Sequence, residues 1–272
     1  MTSSNIIMKG GGTVTRNIAS EVNRPAHGLR LWWLGNAGFA IRYDEILMFI
    51  DPVIEVKSED DQTFSETGLG LQHKLPLRAA EVERADIVLL THHHGDHAAP
   101  KTLSLLKRTG ALFICPEICM PVIDRISVDR ERVRTVDYDQ TMTYGEVSVK
   151  AVRAIHGGHH GGVRASLELG AGYLVKVGGY SIFHPGDTVL MEEHYELSNV
   201  DILLLPICRH SKALTRLAEI LAPRHIIAMH YDTYEVTEHN CFWTYGDPEE
   251  TRSKIEYPER LVVLEQGETF RP

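Results

Sequence analysis

The stretch "LLTHHHGDHAAP" (residues 89–100) sets four histidines and one aspartate into the six positions 92–97, directly after an apolar run. Imidazoles are costly to bury unless they are hydrogen-bonded or bound to a metal, and a merely solvated run of histidines needs no apolar strand in front of it. The preceding "ADIVLL" reads as a buried strand, with Asp86 to Thr91 extended, so the cluster is delivered at a strand end, where ligand crevices form. Extended backbone alternates its side chains, which puts His92 and His94 on one face and His93 on the other. Gly95 permits a sharp turn that carries Asp96 and His97 toward a second position. One short loop can therefore serve two metals, and imidazole with carboxylate donors suits zinc, manganese or iron.

Outward from this loop, four more strand ends carry polar residues: Asp51 in "FIDP", His156 in "AIHGG", Asp187 in "PGDT" and His230 in "AMHYD". Taken singly, an Asp or His ending a strand is usually a turn former or a satisfied polar group. Each metal at the 92–97 loop needs further ligands, however, and these positions offer them. The segment "HGGHHGG" also contains His159 and His160; His156 is preferred as a ligand because it directly ends "VKAVRAI", while the other two sit in a glycine-rich loop that could carry them toward substrate.

The rest of the chain supplies the frame. "LRLWWLG" (29–35), "AGFAIRY" (37–43) and "EILMFIDP" (45–52) read as a meander of short strands with Gly and Asn at the first turn. "PKTLSLLKRTGA" reads as a helix with Pro100 in its first turn and Gly110 as its stop. After Gly170 a comparable succession of strands begins again, ending in the helix "KALTRLAEILAP" and the strand "HIIAMH". In that helix Leu214, Leu217, Ala218 and Leu221 line one apolar face. Two such halves imply two sheets packed face to face with helices outside. Residues 53–77 are polar and irregular, and long irregular loops in compact domains are often functional, so this segment is a candidate active-site cover.

Composition narrows the classes. With 272 residues and 43% hydrophobic content, the chain can bury a sizeable core, and residues 1–272 read as one domain with its motifs between about 29 and 235. No apolar run approaches the length of a membrane span, and the amino terminus lacks a signal-peptide pattern, so a cytoplasmic location is expected. Four cysteines without framework spacing fit a reducing compartment. Cys115 and Cys119 are spaced for a metal but lack a second thiol pair to complete a site. A formal net charge of −9 argues against nucleic acid as a partner. It leaves room for a small anionic substrate, because bound metals add local positive charge.

"THHHGDH", with the four flanking motifs in order, resembles the signature of the metallo-β-lactamase superfamily. The resemblance implies an α/β fold of α+β type, a four-layer αββα sandwich with a dinuclear site between the sheet edges. It further implies that His92, His94 and His156 bind one divalent ion, that Asp96, His97 and His230 bind the second, and that Asp187 bridges them. Asp51 would orient the histidine loop, and His93 stands at the motif's wildcard position. The expected chemistry is hydrolysis by a metal-bridging hydroxide, with Asp96 steering the water or accepting its proton.

"WWLGNAGFAIRY", "YSIFHPGDT", "DILLLPI" and "IIAMHYDTY" are similar to the branch containing ascorbate-6-phosphate lactonase, which also includes a phospholipase D acting on N-acyl-phosphatidylethanolamine. This implies a lactone or small cyclic ester as substrate, with a small or lipid-like phosphodiester as the alternative. A catalytically silent metal-binding scaffold is the reading from another class. Candidate substrate contacts are Arg209 and His210 in "PICRHSKAL", together with His159 and His160; His184 is expected to support the site, Tyr231 and Tyr234 to be structural. Self-association through sheet edges is a further expectation.

Overall fold

The computed structural model describes residues 16–55, 68–138, 140–156, 159–160, 163–164 and 167–272, with the backbone alone at 159, 160, 163, 164 and 210. The strands are, in chain order, β1 (Ala26–Gly35), β2 (Gly38–Asp44), β3 (Ile46–Ile50), β4 (Ile87–Leu89), β5 (Leu112–Cys115), β6 (Val133–Thr135), β7 (Thr141–Tyr144) and β8 (Val147–His156). They continue with β9 (His159–His160), β10 (Val163–Arg164), β11 (Glu168–Val177), β12 (Tyr180–His184), β13 (Ile202–Pro206), β14 (His225–Met229), β15 (Leu261–Val262) and β16 (Thr269–Phe270). One sheet has the order β16-β1-β2-β3-β4-β5-β6 and the other β15-β14-β13-β12-β11-β8-β7, while β9 and β10 form a separate hairpin. Each large sheet is mixed: antiparallel from β16 to β3 and from β12 to β7, parallel from β3 to β6 and from β12 to β15.

Strand alternation explains the layering. In β1 the apolar run "LWWL" sends Leu31 and Trp33 into a core shared with Ile182, Leu203, Leu205 and Ile227 of the other sheet. Trp32 and Leu34 point the opposite way, against Leu103, Leu106 and Ile123 of the helices Pro100–Leu106 and Met120–Ile126. A strand buried on both faces reads as a continuous apolar run, which is the pattern here. Leu214, Leu217, Ala218 and Leu221 are all buried, as their spacing predicts. Their segment is not one α-helix, though: Arg209–Thr215 is wound as a tighter 3₁₀ helix and only Arg216–Leu221 is α.

The parallel pairings decide where the polar strand ends meet. β3 and β4 run parallel, so Asp51 and the 90–99 loop leave the sheet at one edge. β8 and β12 are both antiparallel to β11, hence parallel to each other, and β13 and β14 follow the direction of β12. The residues after β8, β12 and β14 therefore emerge together, and the amide of Ala171 donates to the Thr91 carbonyl at 2.8 Å to join this edge to the other sheet.

One expectation is corrected here. The strand before the histidines ends at Leu89 rather than Thr91. The Thr91 amide donates to Asp51 Oδ1 at 2.8 Å and its carbonyl accepts from Ala171, so both of its ladder groups are taken by other partners. Residues 92–97 are a loop, and β alternation is not what sorts their side chains.

A candidate dinuclear metal centre

The loop is shaped by a buried polar hub. Asp51, fully buried with φ +43°, accepts from the Thr91 amide and, through Oδ2, from the Thr91 hydroxyl at 2.5 Å and His97 Nδ1 at 2.7 Å. A left-handed backbone at a non-glycine residue is uncommon, and Asp tolerates it better than most. Because Nδ1 of His97 donates to Asp51, Nε2 is the nitrogen that faces inward; it is buried and has no hydrogen-bond partner among the described residues. Thr91 spends its hydroxyl proton on Asp51, so it can accept from His92 Nδ1 at 3.1 Å, which turns His92 Nε2 inward as well. Asp51 thus anchors Thr91, just ahead of the loop, and His97 at its end.

The inward atoms fall into two groups. His92, His94 and His156 offer nitrogens within 4.8 Å of one another, and so do the donor atoms of Asp96, His97 and His230. His92 Nε2 lies 3.1 Å from His94 Nδ1. Two imidazole nitrogens this close cannot both carry protons, whereas both can donate to one cation. Asp187 Oδ2 stands between the groups: 3.9 Å from His156 Nε2 on one side, 3.7 Å from His97 Nε2 and 3.4 Å from His230 Nε2 on the other. His92, His97 and Asp187 also form a compact set of their own. Asp96 Oδ2 is 3.7 Å from His97 Nε2 and 3.9 Å from His230 Nε2. The donor set therefore fits two cations.

Three supporting residues escape a reading of the sequence for ligands. Asn36, at φ +47° in the β1–β2 turn, donates from Nδ2 to the Asp96 carbonyl at 2.9 Å and to Asp96 Oδ2 at 3.3 Å, and its own carbonyl accepts from the His230 amide at 2.8 Å. It thereby ties two ligands of one group to each other; the only sequence signal is its place in the turn "GNAG". Thr91 is the second, invisible as an ordinary strand-end threonine. The third is Glu168, whose Oε2 approaches His94 Nε2 at 3.3 Å and His93 Nδ1 at 3.8 Å, so His93 makes a contact of its own beside the centre.

The remaining candidates are placed as follows. His184 is buried; Nε2 donates to the Ala37 carbonyl at 2.9 Å and Nδ1 accepts from the Gly186 amide at 3.0 Å, pinning the turn that presents Asp187. Arg209 lays its guanidinium over the Tyr245 ring at 4.7 Å and beside Cys241, engaging the C-terminal segment rather than the histidine loop, because a flat aromatic face is within reach and stacks it. The side chains of His159, His160 and His210 lie outside the described residues. Tyr231 stacks on Trp33 and donates to the Leu264 carbonyl, and Tyr234 is buried with Val53, Leu71 and Ala99. Of segment 53–77, residues 56–67 lie outside the described part; the rest is bound beside His230, with Gln72 donating to the Thr233 carbonyl and Glu235 to the Gly70 carbonyl. Cys115 and Cys119 are both buried, and the neighbouring Cys115 thiol together with burial pushes the Cys119 thiol up, away from the thiolate a metal would need.

A model of the beta-lactamase superfamily domain matches residues 30–230. A UPF0173 metal-dependent hydrolase of Pyrococcus furiosus is 32% identical over 203 residues, which is 70% of this chain and 83% of the relative. The chain belongs to the metallo-β-lactamase superfamily, within the UPF0173 metal-dependent hydrolases. Among solved structures, Igni18, a metallo hydrolase from Ignicoccus hospitalis, superposes with a TM-score of 0.64 at 21% identity, covering 89% of this chain and 98% of that one. An isothiocyanate hydrolase from Delia radicum gut bacteria gives 0.66 at 18% identity, with 89% and 98% covered. Both share the fold. No helix among the described residues is long and apolar enough to cross a membrane.

Protonation divides the two ligand groups of this UPF0173 hydrolase. Burial pulls His97 down, but Asp187, Asp96 and Asp51 outweigh it and hold its pKa up at about 10. For His230 burial likewise acts downward and is overcome by Asp187. Burial lowers His92 and His94, keeping them neutral. Without metal, protons on His97 and His230 balance the carboxylates; a cation must displace them, whereas the His92 and His94 lone pairs are already free of protons. The raised His97 pKa stabilises the metal-free fold below about pH 6.5, and that contribution is lost as pH rises toward about 10. Metal uptake at the Asp96–His97–His230 group is accordingly expected to release protons at pH 7 and to strengthen with pH, about tenfold per unit for each proton displaced, until the release fades near pH 10. Calorimetry in buffers of different ionisation enthalpy measures this directly; equal proton release in both binding steps would contradict it.

Proposed function

We propose that this metal-dependent hydrolase is dinuclear and opens a lactone or related small cyclic ester. The observation that carries the dinuclear reading is the position of Asp187, whose Oδ2 is within 4 Å of histidines from both groups. His92, His94 and His156 would hold one divalent ion, zinc or manganese, and Asp96, His97 and His230 the other, with Asp187 shared. Two such ions, when bound, lower the pKa of a shared water toward neutrality and polarise the carbonyl under attack. Asp96, with its side chain 14% exposed against 5% for Asp187, is the more accessible of these two carboxylates. Asn36 holds its Oδ2, so Asp96 would be fixed in place to steer the attacking water.

Charge favours a neutral ester over a phosphodiester. Asp51, Asp96, Asp187 and Glu168 face the histidines and together balance two divalent ions, leaving little excess positive charge to hold a phosphate. The likeness of "WWLGNAGFAIRY" and "IIAMHYDTY" to the branch containing ascorbate-6-phosphate lactonase is compatible with lactone opening and, equally, with the phosphodiester alternative. Metal-loaded protein assayed on a lactone panel and on an aryl phosphodiester tests the reading: acid release from a lactone is expected, with the phosphodiester inert. Activity on the phosphodiester alone would replace the substrate class. Less than one ion per chain with no hydrolysis would make the protein a silent scaffold.

A further inference from the structure

Glu168 opens β11 directly opposite His156 on β8. Two residues along the same face, Gly170 presses against the histidine loop so closely that a Cβ there would stand 2.8 Å from the Thr91 carbonyl oxygen and 3.2 Å from His92 Cβ. The first residues of β11 thus form a wall behind the loop, and Glu168 projects from that wall. Its Oε2 lies 3.3 Å from His94 Nε2 and 3.8 Å from His93 Nδ1. Oε2 and His93 Nδ1 are both buried without a hydrogen-bond partner among the described residues. His94 meanwhile turns its other nitrogen, Nδ1, toward His92.

We propose that Glu168 is a positioning residue for His94. Its carboxylate accepts the Nε2 proton of His94, which fixes Nδ1 as the lone-pair donor to the ion held with His92 and His156; a slight rotation of the ring closes the present contact into a hydrogen bond. A carboxylate behind a ligating imidazole sets the tautomer and raises ligand basicity. The same oxygen steadies His93 on the outer side of the loop. The three atoms are near enough to one another to suggest a cation among them. A neutral imidazole has only one lone pair, however, and His94 cannot give it to both sides. This inference rests on the dinuclear reading.

The test is cobalt(II) titration of the full chain as wild type, Glu168→Leu and the isosteric Glu168→Gln, followed by absorption and by the hyperfine-shifted N–H resonances of the ligating histidines. Glu168→Leu is expected to weaken one of the two binding steps about 10- to 100-fold and to abolish the slow solvent exchange of one N–H resonance. Glu168→Gln keeps a carbonyl acceptor and should recover most of both losses. Unchanged cobalt affinity and exchange in Glu168→Leu would overturn the proposal. So would a third cobalt equivalent in the wild type that Glu168→Leu lacks, since Glu168 would then be a ligand. Uptake of one equivalent by the wild type would defeat the dinuclear reading instead, and comparison of that one step between wild type and Glu168→Leu would still decide the role of Glu168.

Discussion

Asp187→Ala is expected to take the metal content from about two ions per chain to about one and to lower ester hydrolysis by about three orders of magnitude, roughly 4 kcal/mol of transition-state stabilisation. The carboxylate is 5% exposed, sits 3.4 Å from His230 Nε2 and 3.7 Å from His97 Nε2, and reaches His156 at 3.9 Å. No other carboxylate among the described residues contacts both histidine groups at these distances. Without it, no carboxylate would be shared between the two histidine groups and one negative charge would be lost, so the second ion is expected to be expelled. Elemental analysis after dialysis gives the stoichiometry. The metal-free variant supplies a second readout, because the upward pull of Asp187 on His97 and His230 disappears and both imidazoles titrate lower. Two tightly held ions in Asp187→Ala would show that this residue does not join the groups.

The second large effect is at Asp51, where two substitutions separate folding from metal binding. Asp51→Ala strands the Thr91 amide, the Thr91 hydroxyl and His97 Nδ1, all now satisfied by one carboxylate. Breaking such a buried charged hub costs about 3 to 5 kcal/mol, and placing alanine at φ +43° adds strain. Asp51→Asn accommodates the same backbone and keeps an acceptor oxygen for Thr91. Its amide donates where the carboxylate accepted, so His97 must switch its proton from Nδ1 to Nε2, the nitrogen that faces the ligand group. The expected result is a variant of nearly native thermal stability whose metal affinity falls about 10- to 100-fold. Denaturation curves and metal titrations of the two variants check the split; equal loss of stability in both would mean that the hub is purely structural.

Much of this arrangement is legible before any coordinates, for identifiable reasons. The apolar runs of β1 and the face Leu214–Leu221 follow from burial alone, since period and hydrophobicity determine which side chains leave water. The candidate donors at 92–97, 156, 187 and 230 are visible as polar residues that each end or follow an apolar strand, and the parallel strand pairings bring those strand ends to one edge. The pairing of His92 with His94 rests in the sequence on strand alternation, which the loop does not obey, and that of Asp96 with His97 on the turn at Gly95. In the folded loop the hydrogen bonds of Thr91 and Asp51 turn His92 and His97 inward, His94 meets His92, and Asn36 holds Asp96. What stayed hidden were residues acting through backbone or through another side chain. Asn36 works by a carbonyl and a side-chain amide in a turn, and Glu168 works because β8 and β11 happen to place it opposite His156. Neither role leaves a spacing pattern, because neither partner is near in sequence. Arg209 shows the converse: a strand-end arginine reads as an anion clamp, and the ring of Tyr245, distant in sequence, is what its guanidinium stacks on.

The last strands of the chain cross between the sheets. β15 pairs with β14 in one sheet and β16 with β1 in the other, while between them Gly267 donates to the Trp33 carbonyl and Gln266 Nε2 to Thr233 Oγ1. Thr233 Oγ1 is itself the acceptor for the Asn36 amide, so this late segment braces the turn that links Asp96 to His230. During synthesis the histidine loop emerges early, whereas the turn that ties Asp96 to His230 is braced only once the carboxyl-terminal strap has closed across both sheets. Contacts this distant in sequence are the slow ones to form. The geometry of the candidate site is thus completed at the end of folding, by a segment that contributes none of its candidate donors among the described residues.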